Sequence, residues 1–363
     1  TARRVGELDL GFSAGWNETT DRRQGRFEQE WGPVAVWNDA ILQGPHLYVA
    51  NPFYKWPNAT LKSNKDWHSV DLETLAPDAL PVTSYKPAGD RAIYDAQYGD
   101  WQGKPIRGHY RLAWRAMAAN GGERTLIPAL IPPGSAHPNG VFSLAGSEFQ
   151  VTLLAAATSS LLADFSVRVA PKSGIFLAVT KRLPLPPKGH PLLPRLILRT
   201  LRLNCLTSAY ADLWQGVWDP SFTTDEWMLS PTSGDAPQVG DVGQEWTPDT
   251  PWRRDIDRRN ALVEIDVLMA HMLGVTADEL CTIYRTQFAV LHGYDQNTYF
   301  YDANGRLVPN SVLTVWRKKG DAISLEERTA THPAGTVYVY ELPFATRDRE
   351  ADFHTAMAKL ESL

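Results

Sequence analysis

From Glu148 to Val167 the chain reads EFQVTLLAAATSSLLADFSV, without Gly or Pro and apolar at helical spacing. Such a stretch forms a helix of about five turns. It has too few polar positions to face water on any side, so the rest of the chain has to wrap it. Residues 1–145 have the opposite character. Short runs such as Val34–Trp37, His46–Val49 and Thr125–Ile131 are interrupted by Gly32-Pro33, Gly44-Pro45 and Pro132-Pro133-Gly134. That pattern predicts short strands joined by turns.

Beyond the apolar helix lies a Gly/Pro/Lys segment, Pro171 to Pro191, and a second helical pattern from Leu192 to about Trp214. Residues 216–250 are polar and poorly periodic, which predicts a long loop or a disordered connection. Asp255 to Leu273 is an amphipathic helix stopped by Gly274, and Thr276-Ala-Asp-Glu279 is a capping box opening another. Tyr299 to Arg306 reads as a strand entering an Asn304-Gly305 turn, Val337–Leu342 as a strand and Asp348–Leu363 as a terminal helix. The expected fold class is α+β: a short-stranded, β-rich domain with long helices, plus a smaller mixed α/β C-terminal part. The expected division is 1–215 (strand-rich 1–145, helical 146–215), a loop or linker 216–254, and a C-terminal part 255–363 packed on the first.

Charge distribution adds a functional constraint. The chain carries a net charge of −5, yet no Asp or Glu stands between Asp164 and Asp212. That stretch holds Arg168, Lys172, Lys181, Arg182, Lys188, Arg195, Arg199 and Arg202, the last three spaced to share one helix face. A surface meeting a polyanion needs this asymmetry, because each cation set on a phosphate releases condensed counterions. The structural alternative is a solvated basic helix face beside a proline-rich linker.

Recognised catalytic patterns are missing. No Gly-x-Gly follows a strand, and Asn51-Pro-Phe-Tyr54 lacks the second proline of an adenine-methylating motif and reads as a turn launching a strand. Pro77-Asp78 and Pro248-Asp249 lack the carboxylate-x-Lys partner of a nuclease, and neither a phosphate-binding Gly-Lys loop nor His-Glu-x-x-His occurs. The nine His are scattered, and His46 and His109 read as structural. Two cysteines, Cys205 and Cys281, exclude a disulfide scaffold and fit a reducing, cytoplasmic compartment. No apolar run reaches membrane-spanning length, so no membrane partner is expected. The start, Thr1-Ala-Arg-Arg-Val without Met, reads as a piece of a longer polypeptide.

Several segments together resemble the region downstream of the catalytic core in large bacterial adenine-N6 DNA methyltransferases of restriction–modification and phage-defence systems. They are Gly44-Pro-His-Leu-Tyr-Val-Ala-Asn-Pro-Phe-Tyr-Lys55, His109-Tyr-Arg-Leu-Ala-Trp-Arg115, Glu123-Arg-Thr-Leu-Ile127 with Pro132-Pro133, and Leu153–Phe165. Lys181-Arg-Leu-Pro-Leu-Pro186, Arg258–Asp266, Asp302–Arg306 and Arg347–Asp352 follow in order. The resemblance implies a target-recognition region that reads double-stranded DNA. A separate catalytic domain of the parent polypeptide would bind S-adenosylmethionine, leaving this chain without cofactor or catalytic role. Lysine and arginine on phosphates would supply affinity, and a few polar side chains at base edges would supply sequence choice.

The residues that fit those roles are Arg111, Arg115 and Arg124 on strand edges, Lys172, Lys181 and Arg182 between the long helices, and a basic-aromatic cluster of Lys55, Lys62 and Lys65. Tyr54 and Trp56 are the candidates for base stacking or wedging. Arg115 and Arg124 have a structural alternative as partners for Glu123 or Asp100. Two other functional classes fit parts of the sequence. The 13 Trp suggest a carbohydrate-binding or carbohydrate-active cleft with paired carboxylates. The 216–250 loop and the 255–288 helices suggest a protein-docking module of a defence complex.

Overall fold

The computed structural model describes residues 3–63, 65–119, 121–169, 173–230 and 237–362. Its strands are short, as the breakers require. They are β1 (Arg3–Arg4), β2 (Gly11–Ser13), β3 (Phe27–Pro33), β4 (Lys55–Pro57), β5 (Trp67–Ser69), β6 (Val82–Pro87), β7 (Arg111–Arg115), β8 (Pro128–Ile131), β9 (Val141–Ala145) and β10 (Pro184–Leu185). The central sheet has the order β8-β7-β9-β2, antiparallel throughout, with Leu112 between Leu130 and Leu144. Pairs β1–β10, β3–β6 and β4–β5 surround it.

Both faces of this sheet are buried. Leu112, Trp114, Leu130, Phe142 and Leu144 join the main core, whereas Ala113, Ala129, Ile131 and Val141 pack under Val34, Leu42 and Leu47. Val34–Trp37 and His46–Val49, expected as strands, instead form the irregular cover over that second face.

The apolar stretch is two helices, α1 (Glu148–Ser159) and α2 (Leu161–Arg168), meeting at a 68° bend. Ser160 makes the break. Its hydroxyl donates to the Ala157 carbonyl and accepts from the Ala163 amide, while Asp266 of a distant helix accepts from Leu161 N–H at 2.7 Å. A cap satisfies the amides that a continuous helix would have paired internally. The second long pattern also divides, into α3 (Leu193–Asn204) and a short helix, Ala211–Gly216. Then come α4 (Asp255–Leu273), ended by left-handed Gly274, α5 (Ala277–Gln287) behind the Thr276–Glu279 capping box, and α6 (Arg349–Glu361) capped by Asp348. No single described helix is long and apolar enough to cross a membrane; the bent α1–α2 pair has the composition but lies in the core.

Helices α1, α3 and α4 form a layer on the sheet, and one continuous core runs from Val5 to Leu360. The 216–254 segment is therefore no detached linker. Trp227, Met228, Leu229 and Val239 belong to that core, and Trp227 stacks on Trp252 at 4.6 Å. Arg202, fully buried, donates to the Thr250, Gln238 and Val239 carbonyls and pins the segment.

Arg199 ties three elements together. Its guanidinium, at 0% exposure, binds Asp225 and Glu264, and Glu264 also accepts from the Met228 and Leu229 amides. Removing one partner of a buried pair strands the other charge, at about 3–5 kcal/mol. Arg199→Met is expected to lose stability of that order in urea unfolding. A loss under about 1 kcal/mol would contradict a structural role for this pair.

Candidate functional site

The acid-free stretch separates into cations facing inward and cations facing outward. Arg168 bridges to Asp164 at 3.5 Å, Arg195 to Asp225 at 3.2 Å, and Arg199 and Arg202 are locked as described. The carboxylate partners of Arg168, Arg195 and Arg199 lie at or beyond the ends of the stretch, and Arg202 is held by carbonyls alone, so these four cations are engaged by the fold. The helix face expected from Arg195, Arg199 and Arg202 is thus no DNA-facing surface. Lys181, Arg182 and Lys188 are exposed and form no ion pair among the described residues. Lys172 lies outside the described residues.

Antiparallel pairing of β1 with β10 brings Arg3 opposite Leu185 and Arg4 opposite Pro184. Gly6 N–H then donates to the Lys181 carbonyl at 2.9 Å, and Val5 N–H to that of Leu183 at 3.1 Å. This long-range contact adds exposed Arg4 to the Lys181–Arg182 turn. Sequence reading did not select Arg4, because only the β1–β10 pairing makes it a neighbour. An apolar edge adjoins the turn. Met117 bridges to Gly174, Ile175 N–H donates to the Ala116 carbonyl, and Phe176 precedes the helical turn Leu177–Thr180 that delivers Lys181. Met117 is 76% and Phe176 54% exposed. A side chain at 174 would stand 2.8 Å from the Phe176 ring, so glycine permits this packing.

The strand-edge arginines are structural. Arg111 is fully buried and donates to the Ser135 carbonyl and hydroxyl. Arg124 is buried against Asp164, which also accepts from the Thr125 and Leu126 amides; neither Glu123 nor Asp100 is its ion partner. Arg115 is half-buried and donates to the Gly44 and Leu47 carbonyls, holding the loop that leads to Tyr54. Arg111 and Arg124 are buried with their donors on buried acceptors, and Arg115 spends Nε and Nη2 on the carbonyls of that loop.

The basic-aromatic cluster is divided in the same way. Asn51 accepts from the Phe53 amide, making the turn that launches β4. The half-buried Tyr54 ring stacks on Tyr48 at 4.7 Å, with the Lys55 amine 5.0 Å and the Arg115 guanidinium 6.0 Å from its centroid. Trp56 packs against the core. Neither ring is a free stacking platform, which corrects the expectation for both. Lys62 and Lys65 project from the β4–β5 loop and are exposed. Asp66 folds that loop by accepting from the Lys62 and Ser63 amides at 2.7 Å each, and those bonds hold its carboxyl below the usual range.

His46 anchors this corner from beneath. Its carbonyl accepts from Tyr54 N–H at 2.9 Å. Its Nε2 donates to the Val82 carbonyl at 2.9 Å, leaving Nδ1 to accept from Gln43 N–H. Burial pulls the imidazole down to about 4, partly opposed by the bonds to Val82 and Gln43. The folded protein therefore keeps His46 neutral where the unfolded chain, titrating near 6.5, is already protonated. The stability this contributes is present above pH 6.5 and is lost as pH falls through about 4, on the order of 3 kcal/mol in all. His46→Gln is expected to flatten that acid limb in urea unfolding between about pH 6.5 and 4. An acid limb as steep as in the parent would contradict the assignment. No protein-family model matches the chain, and no curated protein matches it.

Proposed function

We propose that this chain is a DNA target-recognition part of an adenine-N6 DNA methyltransferase from a restriction–modification or phage-defence system. It holds duplex phosphates while a separate catalytic domain supplies S-adenosylmethionine chemistry. The observation that carries the reading is the turn where Arg4, Lys181 and Arg182 meet. These cations are exposed, form no ion pair among the described residues and lie beside exposed Phe176 and Met117. Fixed backbone with unpaired cations is suited to phosphate contacts, which set orientation rather than sequence. Exposed apolar side chains next to such cations suit wedging against a base step. Lys62 and Lys65 on the β4–β5 loop offer a second, weaker handhold.

The tryptophans lend the carbohydrate reading no support. Trp114, Trp214 and Trp252 are core residues, and only Trp31, at 46%, is a strongly exposed tryptophan among the described residues. A mildly acidic chain with a small basic face should bind duplex weakly and with steep salt dependence.

Fluorescence anisotropy on a labelled duplex at falling salt tests this. The parent chain is expected to bind at about 50 mM salt and to release as salt rises. Lys181→Ala with Arg182→Ala should weaken binding about tenfold on every sequence and lower the salt slope by about 2. Unchanged binding in that double variant, or no binding by the parent at low salt, would overturn the proposal.

A further inference from the structure

Away from the basic turn, a cleft of about 540 Å³ lies between the Tyr48–Glu73 segment, the start of α4 and the Tyr299–Tyr340 region. Its size falls within the roughly 300–1,000 Å³ of small-molecule sites. Six tyrosines, Tyr48, Tyr54, Tyr299, Tyr301, Tyr338 and Tyr340, line it, and no tryptophan does. The walls also carry six arginines and the carboxylates of Asp71, Glu73, Glu123 and Asp255; Arg124 and Arg349 are already paired with Asp164 and Asp295.

The partners of these charges show what is left for a ligand. Glu73 is engaged by Arg306 at 2.7 and 2.8 Å, and Asp71 accepts from the Tyr338 hydroxyl at 2.8 Å. Arg258 donates to the Leu203, Trp252 and Ala50 carbonyls, and Arg253 to those of Leu72, Leu75 and Leu206. Neither forms a direct ion pair among the described residues, although Asp255 lies near Arg258 and Asp249 near Arg253. Arg259 is more than nine-tenths buried; Asp352 and Asn260 take its Nη1, while Nε and Nη2 find no acceptor. Asp255 accepts from Leu307 N–H through one oxygen, is exposed and lines the cleft. Burial raises the carboxyls of both Glu123 and Asp255, and the Tyr299 hydroxyl bonds to Glu123.

We infer that this cleft binds one nucleotide, its base among the tyrosines other than the mutually stacked Tyr48 and Tyr54 and its phosphate toward Arg259 at the start of α4. Aromatic walls accept any base, carboxyl groups pair with exocyclic amines and ring nitrogens, and the unpaired Nε and Nη2 of buried Arg259 offer donors to the phosphate. Two sources share this chemistry: a free mononucleotide and a nucleotide swung out of a DNA strand. The cleft uses none of Arg4, Lys181 or Arg182, so the inference stands independently of the duplex-binding proposal. A second recess, about 600 Å³ and walled by Pro77, Pro237, Pro248 and Pro251, lacks this tyrosine lining.

Calorimetric titration of the whole chain with dAMP, deoxyadenosine and inorganic phosphate tests the inference, together with a duplex carrying a bulged 2-aminopurine. Two variants accompany it: Ser69→Trp, which fills the cleft from β5, and His332→Ala, which removes a wall side chain; thermal melting checks that each is folded. Saturable dAMP binding tighter than about 1 mM, at least tenfold weaker for deoxyadenosine and lost in Ser69→Trp, supports a free nucleotide. Absent that, 2-aminopurine fluorescence that responds to the parent but not to folded Ser69→Trp supports the extrahelical source. His332→Ala should weaken whichever binding is seen by at least threefold, and unchanged affinity would count against the cleft as the site. If neither probe responds, or both respond equally in folded Ser69→Trp, the inference is overturned. Loss of duplex binding in the Lys181/Arg182 variant with dAMP binding intact would separate failure of one proposal from failure of the other.

Discussion

A guanidinium with no access to water has to be paired, and Arg199 meets that requirement by joining helix α3 to α4 and to the 225–229 segment. The arrangement recurs. Asp164 gathers Arg124, Arg168 and two amides between the β7–β8 connection and α2, and Asp266 of α4 accepts the Leu161 amide at the α1–α2 bend. Burial makes each unpaired alternative expensive, so these charges fix how the helices sit on one another more strictly than apolar contact alone. The outer cations stand off this scaffold, in the segment between α2 and α3, in β1 and on the β4–β5 loop.

Local signals in the sequence were legible wherever structure is decided within one turn of chain. The α4 helix with its Gly274 stop, the Thr276–Glu279 capping box and the Asp348-capped terminal helix lie where propensity and capping put them. The mixed α+β class followed from the change in period. The bend at Ser160 was not legible, because a serine in an apolar run breaks a helix only when something outside, here Asp266, takes the freed amide. The strand–loop distinction failed at Val34–Trp37 and His46–Val49 for a related reason. With both sheet faces buried, apolar runs in strands and in the cover above them look alike.

Which cations face outward was legible in part. Lys181, Arg182, Lys62 and Lys65 are on the surface, whereas Arg111 and Arg124 are internal. Charge in a sequence says nothing of which carboxylate will arrive from far away, and Asp164 or Glu264 could be assigned only once the helices were packed. Conversely, Arg4 and Phe176 gain their place from the β1–β10 pairing and from the Gly174 approach, which no short motif encodes. The outcome is a division among like residues: buried arginines build the scaffold, and a few exposed ones at a pinned turn form no ion pair among the described residues.

That division is tested most directly by amide hydrogen exchange of the chain alone and bound to a short duplex at low salt. The account requires slower exchange across residues 3–6 and 174–183 on binding, with α3 unchanged because its arginines already point inward. Protection centred on α3, or a bound complex leaving both outer segments unaffected, would contradict it.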